Sequence, residues 1–217
     1  KDQIQLMSGV FEGKTTGAPI GFTVMNEDHR SRDYSKIKDV YRPGHADYSY
    51  QMKYGVRDYR GGGRASGRET VSRVAGGAVA QELLKTVGVS LRAYTFSIGG
   101  VVSSLTDVTG AQDRKYFAPD DEAVEQWDEL VYAVRSRGDT LGGEVVVEAL
   151  GVPAGLGEPV FDKLDARLAY AVMGVGAVKG VEIGAGSQAA KLLGSENNDP
   201  LSPGEKGLAI FDGDNSG

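Results

Sequence analysis

The chain contains no cysteine, which excludes disulfide bonds, thiolate metal sites and a thiol nucleophile. It also lacks any apolar run of about eighteen residues, the length that a membrane-spanning helix needs. The N-terminal Lys-Asp-Gln-Ile has no signal-peptide core and no initiator Met. These absences predict a soluble globular protein, with a mild preference for the cytoplasm. We expect the start to have been cut from a longer chain.

The composition is that of a globular protein. Of the 217 residues 40% are hydrophobic, which is enough for one sizeable core or two small ones, and we expect a single domain over residues 1–217. The 32 glycines are spread along the chain without an internal repeat. They indicate tight turns and close backbone approaches.

Negative charge prevails overall but not everywhere. The net charge of −6 argues against a general binder of nucleic acids or anionic membranes. Residues 42–73 nevertheless hold seven basic and three acidic side chains, a local charge of +4 against −10 in the remainder. Such a run is often only a solvated face. The sharper interpretation is a site for a small ligand with several negative charges.

Apolar patterning predicts a strand-rich start, followed by helices interleaved with strands. A hairpin is expected over residues 3–11 and 18–26. Helices are expected over residues 66–87, 120–137 and 159–173, and further strands over residues 89–98, 143–152, 178–183 and 208–211. Residues 194–207 are expected to form a loop long enough to be a lid. Because the regular βαβ rhythm of a doubly wound sheet is missing, the predicted fold class is α+β.

The start of the helix at residues 66–87 is the most informative place for chemistry. Ser66 can cap this helix, and Glu69 stands three residues later, as in a capping box. A helix N-terminus presents free N–H groups and the positive end of the helix dipole, and Arg64 and Arg68 flank the cap. The pattern predicts an anion site.

Five motifs, in order, carry a resemblance to a known family. They are Met7-Ser-Gly-Val-Phe-Glu-Gly-Lys-Thr-Thr-Gly-Ala-Pro-Ile, Arg42-Pro-Gly-His-Ala-Asp, Gly62-Gly-Arg-Ala-Ser-Gly-Arg-Glu-Thr, Ala177-Val-Lys-Gly-Val-Glu-Ile-Gly and Asp214-Asn-Ser-Gly. In this order they resemble the motifs of the chorismate synthases. The resemblance runs from Leu6 to Gly217. Within it, the family's usual Ser-Ser-Ala reads Ala65-Ser66-Gly67, which removes one hydroxyl from the box.

The resemblance implies a fold and a reaction. The fold is a βαβ sandwich, with a helical layer between antiparallel sheets. The reaction is the anti-1,4-elimination of phosphate from 5-enolpyruvylshikimate 3-phosphate to give chorismate, in the shikimate pathway. Reduced FMN is required without net redox change, and NADP is a further nucleotide associated with the family. The resemblance also implies a cytoplasmic homotetramer, a small-molecule substrate, and neither a nucleic-acid nor a membrane partner.

The same resemblance assigns roles to individual residues. It implies that Arg42 and Arg68 bind the substrate and that the catalytic His45 lies at the flavin and governs its protonation. Residues that would contact FMN are Arg64, Ala65, Ser66, Gly176 and Ala177. The leaving phosphate needs positive counter-charge and a proton donor, which explains the arginines and the histidine. No metal is expected.

Some of the family's groups are not found in the chain. The family has a second histidine in an N-terminal Gly-Glu-Ser-His-Gly motif, and a C-terminal Lys-Pro-Thr segment with a late arginine. His29 lies in a polar stretch without the flanking Ser and Gly, and we interpret it as a surface residue. We therefore expect the core of an enzyme that lacks both terminal segments and is inactive alone. The alternative is a non-catalytic scaffold that retains the fold.

Two other interpretations carry less weight. Tyrosines alternate with basic residues between Tyr48 and Arg60, which is typical of single-stranded nucleic-acid binding. The acidic remainder of the chain argues against it. The glycines from Gly174 to Gly180 resemble a dinucleotide loop, but their spacing differs and a strand is predicted where that motif needs a helix.

Overall fold

The computed structural model describes residues 3–25, 37–59, 67–204 and 209–217. The chain divides into two compact units, the first made of Lys1–Gly76 and Gly155–Gly217 and the second of Gly77–Ala154. Each unit is described by itself. That residues 1–217 form a single domain stays a prediction.

The first unit begins with the predicted hairpin, which the structure confirms. Its strands are β1 (Ile4–Ser8), β2 (Val10–Phe11), β3 (Lys14–Thr15) and β4 (Gly21–Val24). β1 pairs antiparallel with β4, and β2 with β3. Gly9 separates β1 from β2 with a φ of 83°, and a Cβ atom there would lie 2.7 Å from the Cα of Ile20. Only glycine fits this close approach without a shift.

Two helices follow in the basic stretch. Helix α1 (Asp47–Tyr54) was not predicted; it ends at Gly55, which adopts the left-handed conformation and donates its N–H to the carbonyl of Gln51. A 3₁₀ turn (Gly67–Glu69) leads directly into helix α2 (Thr70–Thr86). This pair agrees with the helix predicted over residues 66–87. Gly88, with a φ of 81°, follows its last turn.

The rest of the first unit corrects three predictions. Its elements are β8 (Gly157–Glu158), β9 (Asp162–Lys163), α4 (Leu164–Met173), a 3₁₀ helix (Gly186–Lys191), α5 (Gly194–Asn197), β10 (Leu201–Pro203) and β11 (Ala209–Phe211). The helix expected from residue 159 starts at Leu164, because residues 157–163 form the β8–β9 hairpin. The strand expected over residues 178–183 is wrong; that segment is irregular.

The expected loop over residues 194–207 is also wrong for its described part. It contains α5 and β10, and β10 pairs with β11. Asp199 lies between α5 and β10. Its carboxylate accepts hydrogen bonds from the backbone N–H groups of Asn215 and Ser216, both at 2.8 Å. These contacts hold the segment against the end of the chain.

The second unit contains a three-stranded antiparallel sheet. Its elements are β5 (Ser90–Ile98), β6 (Val101–Val102), 3₁₀ turns at Ala111–Asp113 and Lys115–Phe117, α3 (Asp121–Ser136) and β7 (Gly143–Leu150). β5 lies between β6 and β7. The strands predicted over residues 89–98 and 143–152 are confirmed.

Helix α3 forms the core of this unit, as its periodicity predicts. Asp120 caps it by accepting a hydrogen bond from the N–H of Ala123 at 2.7 Å. Trp127 is fully buried against Ala118 and Ala123. Its indole N–H donates to the carbonyl of Val101 at 2.9 Å, which attaches the helix to β6.

The predicted fold class, α+β, is confirmed. All strand pairs within the described residues are antiparallel, so a doubly wound parallel sheet is excluded there. On β7, Val145 and Val147 are 66% and 64% exposed, while Val146 between them is half-buried. Among helices of the described ranges, none has the length and apolar character needed to cross a membrane.

Candidate functional site

An ion-pair cluster lies where the loop of Arg42 to Ala46 meets α1. The Asp47 carboxylate accepts hydrogen bonds from Nε and Nη2 of Arg42, both at 2.9 Å, and from the Arg42 backbone N–H at 3.0 Å. Nη1 of Arg57 lies 3.2 Å from the same carboxylate. The side chains of Asp47 and Arg57 are each only 9% exposed, whereas Arg42 is 26% exposed. We call Arg42, Asp47 and Arg57 the Asp47 cluster.

The Asp47 cluster fixes the loop because Arg57 also holds the preceding backbone. Its Nη2 donates to the carbonyl oxygens of Lys38 at 2.6 Å and Val40 at 2.7 Å. Its guanidinium carbon lies 5.3 Å from the ring centroid of Tyr41, in cation–π range. Hydrogen bonds from Arg42 hold the pKa of the Asp47 carboxyl well below its usual range, so that Asp47 stays ionised. Arg42 is thus held in one orientation at the edge of a buried pair.

His45 projects from the same loop and is exposed. Its Nδ1 lies 2.9 Å from the carbonyl oxygen of Pro43. A carbonyl oxygen only accepts hydrogen bonds, so Nδ1 carries the proton in the neutral ring and Nε2 is the basic nitrogen. Nε2 of His45 is therefore the atom that can take up or release a proton.

A second cluster connects the start of α2 with the end of α4. Nε of Arg73 lies 3.0 and 3.1 Å from the two carboxylate oxygens of Glu69. Nη2 of Arg73 donates to the carbonyl oxygen of Gly174 at 2.8 Å. Gly174 is the C-terminal cap of α4, where carbonyl groups lack partners within the helix. We call Glu69, Arg73 and Gly174 the Arg73 bridge.

The remaining predicted site residues lie around the Arg73 bridge or outside the described residues. Arg68 is exposed in the 3₁₀ turn before α2, and it makes no ion pair or hydrogen bond among described residues. Gly176 and Ala177 follow the bridge; a Cβ atom on Gly176 would meet nothing within 4 Å. Ala177 has a φ of 72°, a left-handed conformation that is unusual for alanine. The predicted residues outside the described ranges are Arg64, Ala65, Ser66 and His29.

Among the described residues of 42–73, some of the positive charges are paired with carboxylates, and others are not. Arg42 and Arg57 share the carboxylate of Asp47, and Arg73 is paired with Glu69. These pairs neutralise part of the local positive charge, and Arg68 keeps its own. The arrangement provides an oriented guanidinium at Arg42, an exposed one at Arg68 and a histidine with a basic Nε2. Such groups can bind a multiply charged anion and transfer one proton.

Sequence reasoning did not assign roles to Asp47, Arg57 or Arg73. Asp47 stood within the quoted motif, and its place five residues after Arg42 was the available signal for a pair. The partner of Arg73 had only one local signal, the spacing of four residues from Glu69 on one helix face. Its contact with Gly174 spans 101 positions and has no sequence signal.

Comparisons with known proteins agree on one family. The model of the chorismate synthase family matches residues 1–217. A chorismate synthase of Nitratidesulfovibrio vulgaris strain Hildenborough is 65% identical over 202 residues, which are 93% of this chain and 57% of that protein. One from Desulfovibrio desulfuricans is 55% identical over 222 aligned positions, covering 100% of this chain and 61% of that protein.

A solved structure has the same fold. It is described as a crystal structure of chorismate synthase, and it matches with a TM-score of 0.85 at 34% sequence identity. The match covers 100% of this chain and 65% of that one. The chain therefore spans little more than half the length of the relatives it matches.

Proposed function

This chain belongs to the chorismate synthase family, and on that premise we propose that it takes part in the elimination of phosphate from 5-enolpyruvylshikimate 3-phosphate to give chorismate. The observation that carries the proposal is the loop from Arg42 to Asp47. It holds an oriented guanidinium, that of Arg42, three residues before an exposed histidine whose Nε2 can exchange a proton. A leaving phosphate group requires a positive counter-charge and a proton donor close to it.

Each described site residue has a part in this proposal. Arg42 and Arg68 bind the anionic groups of the substrate, and the Asp47 cluster keeps Arg42 in place. His45 holds a proton on Nε2 or releases it beside the flavin. Because the hydrogen bond to Pro43 orients the ring, the proton is exchanged at one nitrogen.

The segment from Gly174 to Ala177 fits a flat cofactor. Gly176 adds no side chain, and the space at its missing Cβ atom is open. The proposed contacts for FMN are Gly176 and Ala177 together with Arg64, Ala65 and Ser66. Held by these residues, reduced FMN would supply an electron that the substrate later returns, which would explain why a flavin is needed without net redox change. NADP is proposed only as part of the supply of reduced flavin.

The quaternary structure and the location are proposed from the surface of β7 and from the family resemblance. Val145 and Val147 leave an apolar strip of β7 exposed, which favours self-association. A homotetramer in the cytoplasm, with no nucleic-acid or membrane partner, is what the family resemblance supports.

The 217 residues by themselves are proposed to be inactive. They span 57% of the N. vulgaris relative. The resemblance also assigns a second histidine and a late arginine that are not among them. The alternative is a non-catalytic scaffold, and it differs from the main proposal in one result: a scaffold stays inactive even when the flanking segments are supplied.

The test uses a completed enzyme, in which this chain replaces the matching segment of the N. vulgaris relative. It is incubated without oxygen with reduced FMN and 5-enolpyruvylshikimate 3-phosphate, and phosphate and chorismate are measured. We expect equal amounts of both products, and a large loss of turnover in His45→Ala. A completed enzyme that is folded and binds FMN but releases no phosphate would support the scaffold instead.

A further inference from the structure

The Arg73 bridge joins two parts of the proposed site that are far apart in sequence. Glu69 directly follows Arg68 at the start of α2, and Gly174 stands two residues before Gly176. One guanidinium contacts both, through Nε on the side of Glu69 and through Nη2 on the side of Gly174. The bridge is therefore a direct contact between the proposed anion-binding turn and the proposed flavin segment.

The geometry of the bridge depends on arginine. Both oxygens of Glu69 lie near Nε, which sets the plane of the guanidinium and aims Nη2 at the carbonyl of Gly174. The carbonyl belongs to the C-terminal end of α4, where a cation is favourable. A lysine has a single ammonium group and cannot hold two acceptors in this fixed, planar arrangement.

The segment after Gly174 needs such support. Ala177 adopts a left-handed conformation, which is unfavourable for any residue with a Cβ atom. Its neighbours are held by few local hydrogen bonds, from the N–H of Val175 to Val172 and from that of Val178 to Val175. A backbone in a costly conformation persists only where its surroundings hold it.

We propose that Arg73 is a positioning residue that sets the distance between the turn of Arg68 and the flavin-contacting segment at Gly176 and Ala177. This inference rests on the proposed function, because it assumes that FMN binds at that segment. Arg73 itself contacts neither flavin nor substrate. It acts through the carbonyl of Gly174, and its loss moves the wall of the FMN site.

The test compares Arg73→Met, Arg73→Lys and the control Lys85→Met in the completed enzyme. Lys85 forms an exposed ion pair with Glu82 on the same helix, near its C-terminal end. FMN dissociation constants are measured by flavin fluorescence at a temperature at which all variants are folded. Hydrogen exchange is measured over residues 174–178. We expect both Arg73 variants to weaken FMN binding on the order of tenfold and to exchange faster there, and Lys85→Met to do neither.

The outcomes separate the inference from the proposed function. If the unmodified completed enzyme binds FMN and Arg73→Met binds it equally well, the positioning role is wrong, even if thermal stability falls. Full recovery of affinity in Arg73→Lys would also overturn it, because positive charge alone would then suffice. If the unmodified completed enzyme binds no FMN, the proposed function fails and the inference fails with it.

Discussion

Replacing Asp47 with asparagine should destabilise the chain strongly, because the Asp47 carboxylate lies between the guanidinium groups of Arg42 and Arg57. Asparagine has nearly the same volume but one acceptor oxygen and no charge. At most one of the two Arg42 side-chain hydrogen bonds survives, and the attraction to Nη1 of Arg57 at 3.2 Å is lost. Arg57 is left 9% exposed without its counter-charge.

The expected magnitude follows from this burial. Breaking a buried ion pair by removing one partner costs about 3–5 kcal/mol. Water can partly replace the lost contact at Arg42, whose side chain is 26% exposed. We therefore expect a loss of about 2–4 kcal/mol, and with a urea m-value of about 2 kcal/mol/M the midpoint should fall by about 1–2 M.

The assay is urea denaturation at pH 7, followed by far-UV circular dichroism. Asp39→Asn is the matched control, because Asp39 makes only a 3.9 Å pair with Lys38 and its side chain is 84% exposed. The control should change the free energy of unfolding by less than about 0.5 kcal/mol. Equal midpoints for Asp47→Asn and Asp39→Asn would refute the claim that the Asp47 cluster stabilises the fold.

The effect should also depend on pH in a defined direction. The folded pKa of Asp47 is lowered by the hydrogen bonds from Arg42, so the unfolded chain takes up the proton first as pH falls. The stabilisation is complete above the unfolded pKa of about 3.9 and is lost as pH falls below it. The difference in stability between the unmodified chain and Asp47→Asn should therefore narrow as the pH falls from about 4 towards about 2.

Three further substitutions test other parts of the account. In the completed enzyme, His45→Ala should keep the urea midpoint and lose most turnover, because the exposed ring contributes little packing; unchanged turnover in steady-state kinetics would contradict its role. Arg68→Ala should raise KM for the substrate by on the order of tenfold or more, since a charge-assisted contact is worth about 2 kcal/mol, and an unchanged KM would remove Arg68 from the binding site. Trp127→Phe should lower stability by about 1–3 kcal/mol in urea denaturation, because the carbonyl of Val101 loses the indole N–H at 2.9 Å; a midpoint equal to that of the unmodified chain would contradict this.

Much of the fold was predictable where the signals were local. Helix α3 has its cap, its period and its buried tryptophan within one window, and the helix predicted over residues 120–137 is observed at Asp121–Ser136. The strand expected over residues 178–183 has the right residue types, but a strand also needs a partner, and pairing is not a local property. Helix α1 was missed because it is short and weakly amphipathic, so its apolar residues show no period.

The candidate site was predictable only in its motif residues. Arg42, His45 and Arg68 could be named from the motifs, but their supporting contacts could not. Asp47 lies only five residues after Arg42 in the sequence, whereas Arg73 and Gly174 are 101 residues apart. The second contact exists only because the fold brings α2 and the end of α4 together.

The most direct test of the account is phosphate release measured side by side for the 217-residue chain and for the completed enzyme. Both are supplied with 5-enolpyruvylshikimate 3-phosphate and dithionite-reduced FMN without oxygen. Groups that act as a unit lose activity together, so we expect no turnover from the chain alone and sustained turnover from the completed enzyme. Turnover by the chain alone near that of the completed enzyme would contradict the assignment of essential groups to the flanking segments.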